Sequence, residues 1–221
     1  MRRTTGLVGL GLLIIFASTL VFARTPGSYS IGGFGGLGLP QGPDEFKDYF
    51  KSGIGFGAEV KYNLNEKTSL VGSFASIPFK FNEDKMAEDI AGLAGDEIEV
   101  NIEGGGVKFN VIQADLLYYL SQPEASTGLY ITGGGGYYMS KTQNPDKVEI
   151  TYLGETIDIT EEFEGEEESE NDLGVNFGAG LELAMGTSTN LFIEGKYHIV
   201  FTEDESTKFI TLMAGLRLSL R

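Results

Sequence analysis

The sequence predicts an all-β fold: an eight-stranded antiparallel up-and-down transmembrane β-barrel with short periplasmic turns and long extracellular loops. Three observations predict it. Eight segments alternate apolar and small or polar residues with a two-residue period. Each runs about 11–14 residues, well beyond the ~5–6 of an ordinary globular strand and enough for the ~9–11 of a tilted membrane strand. The connections between them alternate short and long, and sorting the segments by parity leaves one face without a charge.

The segments are Tyr29–Leu39, Gly53–Leu64, Ser69–Phe81, Val107–Leu120, Gly128–Lys141, Leu173–Met185, Asn190–Thr202 and Lys208–Leu220. Tight turns follow the second, fourth and sixth, at Asn65–Thr68, Ser121–Thr127 and Gly186–Thr189. Long connections occupy Pro40–Ser52, Asn82–Gly106 and Thr142–Asp172, and the short Glu203–Ser206 falls in the long-loop phase. An even strand count puts both termini at the short-turn end, which in an outer-membrane barrel is the periplasm. The third segment, LVGSFASIPFKF, is apolar on both parities and contains Pro78, so a bulge or bend is expected there.

Two domains follow. Residues 1–23 read as a cleaved signal peptide, with Arg2 and Arg3 before the apolar run Gly6–Phe22 and a small-residue site at Val21–Ala23. Residues 24–221 form the barrel domain. Removing the leader deletes two arginines and moves the net charge from -16 to -18. That charge excludes nucleic acid as a partner, since phosphate binding needs Lys/Arg clusters. The absence of cysteine excludes a disulfide framework, thiol catalysis and a thiol-anchored lipid.

The long connections carry local structure of their own. Asn82–Gly95 reads as a helix, with a capping Asn, acids in its first turn, and Met86, Ile90 and Leu93 at helical spacing. VEITYLGETIDIT (Val148–Thr160) reads as a hairpin around Leu153–Glu155, and EIEVNIEGGGVKFNV as another around Gly104–Gly106. Both hairpins are expected to extend the barrel wall.

Parity decides which face is the inside. In the five cleanest segments, 30 positions such as Ile54, Phe56, Leu129, Leu181, Ile193 and Leu216 share a face with no charge. The opposite 25 hold three acids (Glu59, Glu182, Glu194), three bases (Lys61, Lys196, Arg217) and seven glycines. A water-facing surface would share the chain's excess of acid. Balanced charges among small residues suit an enclosed space where each charge needs a partner, and an eight-stranded barrel has a lumen just wide enough for side chains. Glu59, Lys61, Glu182, Glu194, Lys196, His198 and Arg217 are therefore expected as a lumen ion-pair network. The uncharged face would meet lipid, with Tyr29, Tyr62, Tyr118, Tyr137 and Phe201 as an interfacial girdle.

LYITGGGGYYMSKT (Leu129–Thr142) resembles the glycine-rich strand with paired tyrosines of small outer-membrane β-barrel proteins, the OmpA/OmpX- and opacity-like eight-stranded barrels. DLGVNFGAGLELAMGTSTNLFIEGKYHIVF (Asp172–Phe201) resembles their next hairpin, and AGLRLSLR their final strand. The likeness extends over the mature chain. Such proteins end in an aromatic residue, where this sequence has Leu220-Arg221. The resemblance implies a location in the outer membrane of a Gram-negative-type bacterium. It implies a structural or surface-interaction role, adhesin-like or in envelope integrity. The implied partners are outer-membrane lipid and lipopolysaccharide, with an extracellular protein or surface ligand contacting the loops. A narrow porin-like channel for small solutes or ions is the alternative; a lipid-modifying enzyme and a soluble lipocalin-like binder are further ones.

Few motifs point to chemistry. GFGGLG (Gly33–Gly38) matches a dinucleotide fingerprint by spacing, but Pro40 and Pro43 follow where a helix is needed. His198, the sole histidine, has no nucleophile elbow beside it, and the chain is not expected to be an enzyme. No cofactor is expected. EEFEGEEESEND packs eight acids into twelve residues. A solvated loop accounts for it, and weak divalent-cation binding by Glu161, Glu162, Glu164, Glu166, Glu167, Glu168, Glu170 and Asp172 is the sharper reading.

Overall fold

The structure, a computed structural model, describes residues 24–94, 98–123, 125–163, 169–203 and 205–220. The expected signal peptide lies outside them. The described chain runs β1 (Tyr29–Gly42), α1 (Asp44–Tyr49), β2 (Phe50–Lys51), β3 (Gly53–Asn63), β4 (Thr68–Phe81), α2 (Glu83–Ala94), β5 (Ile98–Glu103) and β6 (Gly106–Tyr119). It continues with β7 (Thr127–Gln143), β8 (Lys147–Tyr152), β9 (Glu155–Asp158), α3 (Thr160–Phe163), β10 (Ser169–Ala184), β11 (Thr189–Val200) and β12 (Thr207–Leu220).

Eight long strands close into a barrel: β1, β3, β4, β6, β7, β10, β11 and β12 each pair antiparallel with the next, and β12 returns to β1 from Tyr29↔Leu220 to Leu39↔Ile210. Closure removes the sheet edges that lipid could not satisfy. The topology is up-and-down, as the alternation of the sequence demands. Glycine permits close approach in the wall: a Cβ on Gly178 of β10 would run into the Gly195 carbonyl of β11.

Alternation along each strand separates two environments. Leu181 and Leu216 are 41% and 50% exposed on the outer face, whereas their neighbours Glu182 and Arg217 are 1% exposed. Ile54, Phe56, Phe74, Ile112, Ile131, Phe177 and Ile193 join the outer face. Tyr29 and Tyr62 pack against each other near the short turns, their ring centroids 4.6 Å apart and their planes tilted by 34°, with Tyr118 exposed at the same end.

Two local expectations need refining. The bulge or bend expected at Pro78 falls on one flank of β4 only: between Lys51↔Lys80 and Phe56↔Ser76 the β2–β3 side carries one residue more than β4. The β4–β6 register runs through Pro78↔Lys108 unshifted, and the β3 ladder has already ended at Phe56↔Ser76. The Pro78 carbonyl faces Gly53, so its missing N–H falls on the flank that has no ladder partner to lose. A further irregularity sits in β1, between Pro40 and Gly42.

The second correction concerns the segment around Gly104–Gly106. It turns the chain, with all three glycines at positive φ, but β5 and β6 do not form a hairpin. β6 has both flanks taken by β4 and β7, so β5 pairs with β8, from Ile98↔Tyr152 to Glu103↔Lys147. The hairpin around Leu153–Gly154 does form, as β8 and β9. One three-stranded sheet, β5-β8-β9, thus joins two long loops beyond the barrel, and α2 packs on β5. Ile102 and Val148 are buried within it.

Helix α1, within Pro40–Ser52, has no counterpart among the sequence expectations. It buries Phe46 in the long-loop mouth of the barrel and ties to α2 through Tyr49, whose hydroxyl donates to Asp89 Oδ2 at 2.7 Å.

Candidate functional site

The lumen is stratified. Nearest the short turns, Lys61 of β3 donates to both carboxylate oxygens of Glu182 of β10, at 2.7 and 2.9 Å. Arg217 of β12 bridges Glu182 Oε2 at 3.1 Å and the Glu59 carboxylate, to which it is bonded through Nε. Tyr119 donates its hydroxyl to Glu182 as well. The guanidinium of Arg217 lies 3.9 Å above the Phe192 ring, so its face is covered as well as its edge.

The middle layer centres on Asp115 of β6. Lys196 Nζ reaches Asp115 Oδ2 at 2.7 Å and Glu194 Oε1 at 2.9 Å. Asn176 and Gln113 donate their amides to the same Asp115 carboxylate, at 2.8 and 3.1 Å. Strand alternation turns every second side chain of β6, β10 and β11 inward, and Lys196, two residues from the His198 that the register sets opposite Asn176, reaches Asp115 from β11.

The third layer turns aromatic towards the long-loop end. His198 is held between Tyr138, whose hydroxyl lies 2.9 Å from Nδ1, and Thr211, 3.0 Å from Nε2. Its ring stacks on Phe209 at 4.6 Å. Phe79, Phe109 and Phe209 pack against one another above it, and Phe46 of α1 closes the mouth against Phe79 and Phe109. An internal cavity among Ser73, Gln113, Glu194, Lys196 and Thr211 measures about 20 Å³, room for one water.

At the opposite end Arg24 crosses the opening. Its guanidinium lies 4.1 Å from the Tyr119 ring centroid and donates to the carbonyls of Glu66, Ser121 and Gln122, binding two short turns together. Among the described residues the buried charges are Glu59, Asp115, Glu182 and Glu194 against Arg24, Lys61, Lys196 and Arg217.

The seven residues expected in the lumen from the sequence all lie there, in two ionic layers rather than one network, with His198 placed apart among aromatics. The sequence reading misses Asp115 and Arg24. Asp115 stands on a segment outside the parity sorting, although its alternation with Gln113 and Tyr119 carries the same signal. Arg24 lies outside any strand, where alternation says nothing.

Of the acidic tract, Glu161 and Glu162 fall on α3, and Glu170 and Asp172 at the start of β10. Glu164, Glu166, Glu167 and Glu168 lie outside the described residues. Among the described residues no three acids or histidines gather to hold a metal ion.

A closed eight-stranded wall, greasy outside and ionic within, is the geometry of a small barrel in a membrane. Residues 9–217 match the family model of the outer membrane protein beta-barrel domain. The chain belongs to that family. Its fold is similar to the outer membrane protein OprG from Pseudomonas aeruginosa, with TM-score 0.57 and 10% identity over 91% of this chain and 100% of that one. Neisserial surface protein A aligns with TM-score 0.52 and 11% identity over 87% and 97%. A major outer membrane protein from Thermus thermophilus gives 0.52 and 11% over 89% and 100%. At these identities the likeness concerns the fold alone. No curated protein matches. Membership of the family places the chain in the outer membrane.

Proposed function

We propose that this outer-membrane barrel is a non-enzymatic surface-interaction protein, in which the strands anchor and the long loops bind. The observation that carries it is the shared loop sheet. Two long loops use their backbone hydrogen bonds on each other, and hold Tyr152, Leu153 and Ile157 exposed at a tip beyond the wall. Apolar residues displayed in water on an ordered support are what a binding surface looks like. The contact would be with an extracellular protein or another surface, with the leader removed before Arg24 and the loops outside the cell. The filled lumen supports anchoring over conduction.

Attachment tests the reading. Bacteria producing the protein are compared with bacteria producing a Leu153→Ser, Ile157→Ser variant at equal surface level. Surfaces are coated with collagen, with mucin or with cells of the producing strain. Attachment to at least one coating, lost in the variant, is expected. Equal attachment by the variant, together with ion conductance by the purified protein in planar bilayers, would overturn it in favour of a channel.

A further inference from the structure

The two ionic layers of the lumen do not balance alike. In the lower one Lys61 and Arg217 meet Glu59 and Glu182, two bases against two acids. In the middle one Lys196 is the cation for both Asp115 and Glu194, at 2.7 and 2.9 Å, one base against two acids. Arg24 lies outside both layers, donating to the carbonyls of the short turns. The middle layer therefore holds one negative charge in excess, on side chains at most 7% exposed. A charge walled off from water without a partner is costly, so something must neutralise it.

The protein's own groups do not supply the missing charge. The hydroxyls of Tyr138 and Thr211 engage both nitrogens of His198, and its ring stacks on Phe209. Lys196, two residues away on the same face, would repel an imidazolium there. A proton shared by the two acids needs them in contact, and the Lys196 ammonium stands between them. Asp115 accepts from Lys196, Asn176 and Gln113, as an ionised carboxylate does. The excess therefore rests on Glu194, whose partner among the described residues is Lys196.

The cavity of about 20 Å³ borders Glu194, and Ser73, Gln113 and Thr211 line it as well. Ser73 Oγ is buried without a hydrogen-bond partner. So are Asn176 Oδ1 and Thr132 Oγ1, on side chains 3% and 6% exposed. The amide of Asn176 lies against Asp115 and against Gln113 of the cavity lining. Carboxylate, hydroxyl and amide oxygens are the ligands of hard cations. One excess charge selects a monovalent ion, and a bare potassium ion is close to a water molecule in size. We propose that this cavity holds one alkali cation, bound by the Glu194 carboxylate with the Ser73 hydroxyl and the Gln113 carbonyl oxygen. The layer of Lys61, Glu182 and Arg217 lies on one side of it, and the rings of Phe79, Phe109 and Phe209 on the other. The ion is thus a resident counter-charge and not one in transit, and it is independent of what the loops bind.

The test uses the full barrel refolded from urea into detergent with thallium(I) acetate, a heavy stand-in for potassium. Crystals should show one anomalous-difference peak inside the wall, at Glu194, and none there in Glu194→Gln. Urea unfolding then compares potassium chloride with choline chloride, whose cation is too large for the cavity. The parent should unfold at higher urea in potassium, and Glu194→Gln at the same urea in both salts. Ser73→Ala should need about tenfold more potassium for the same midpoint, the order of one oxygen contact to a charge. Glu203→Gln, at an exposed acid, should keep the parent's difference between the salts. No peak inside the wall, or equal midpoints for the parent in the two salts, overturns the site. A carboxylic-acid band in the infrared spectrum that Glu194→Gln removes overturns it in favour of a proton. An imidazolium signal from the sole histidine in nitrogen-15 spectra overturns it in favour of His198.

Discussion

Glu182 is the side chain on which the lower lumen depends. It accepts from Lys61, Arg217 and Tyr119 at once, in a region that excludes water. Glu182→Gln removes the carboxylate that Lys61 and Arg217 share and leaves Arg217 with Glu59 alone; breaking a buried pair in this way costs about 3–5 kcal/mol. Urea unfolding of the barrel in detergent should show that loss, with a smaller one for Glu194→Gln, since Lys196 keeps Asp115. Outside the membrane the docking of α1 on α2 has its own pH range. Hydrogen bonds from Lys85 and then Tyr49 hold the Asp89 carboxyl below its ordinary value of 3.8. A depressed carboxyl stabilises the folded contact above that value and ceases to do so as pH falls through the lower folded one. Tyr49 and Lys85 are both raised, chiefly by their bonds to Asp89, so the contact also weakens at alkaline pH. Hydrogen exchange in α2, corrected for its intrinsic pH dependence, should therefore rise at both extremes and stay flat between them. The effect is small, because all three groups are solvated.

At the scale of elements, the loop hairpin carries a local misfit. Leu153 sits at φ 50 and Gly154 at φ 84, a two-residue turn that wants Asn-Gly or Gly-Gly. A β-carbon in the left-handed region costs roughly 1–2 kcal/mol, and a leucine kept there, 74% exposed, gains little packing to compensate. Leu153→Gly should slow hydrogen exchange in β8 and β9, and should weaken attachment if the tip is the contact. The same elements show what the sequence can reveal. The eight barrel strands are legible to within one or two residues at most ends, because lipid and a crowded lumen impose opposite demands on successive positions, while β1 and β10 run three and four residues further at their long-loop ends. The pairing of β5 is not. Its alternation marks a strand, but nothing local says whether its partner is the next strand or one some fifty residues on; that choice follows from β6 having no free flank. Phe46 is likewise hidden in a six-residue helix, too short for periodicity to register.

Taken whole, the molecule is a cylinder whose two surfaces exchange the usual roles of inside and outside. Its centre is ionic and aromatic, and its exterior is a leucine- and isoleucine-rich band that water would not tolerate. The ionic centre is readable in the sequence as charge balance on one parity, since buried cations need anions at matching heights. The height of each layer comes only with the register. A charge moved across the wall should therefore have opposite consequences from the same change in a soluble protein. Leu216→Arg, on the outer face of β12, would put a guanidinium against hydrocarbon at a cost of about 2–4 kcal/mol. The shift should appear as slower folding into lipid vesicles and a lower unfolding midpoint. Ile210→Arg, on the same face two residues from Lys208, should cost much less, because the side chain can reach the headgroups. If both arginines were tolerated equally, the exposed face would not be meeting hydrocarbon, and the membrane reading of the wall would fail.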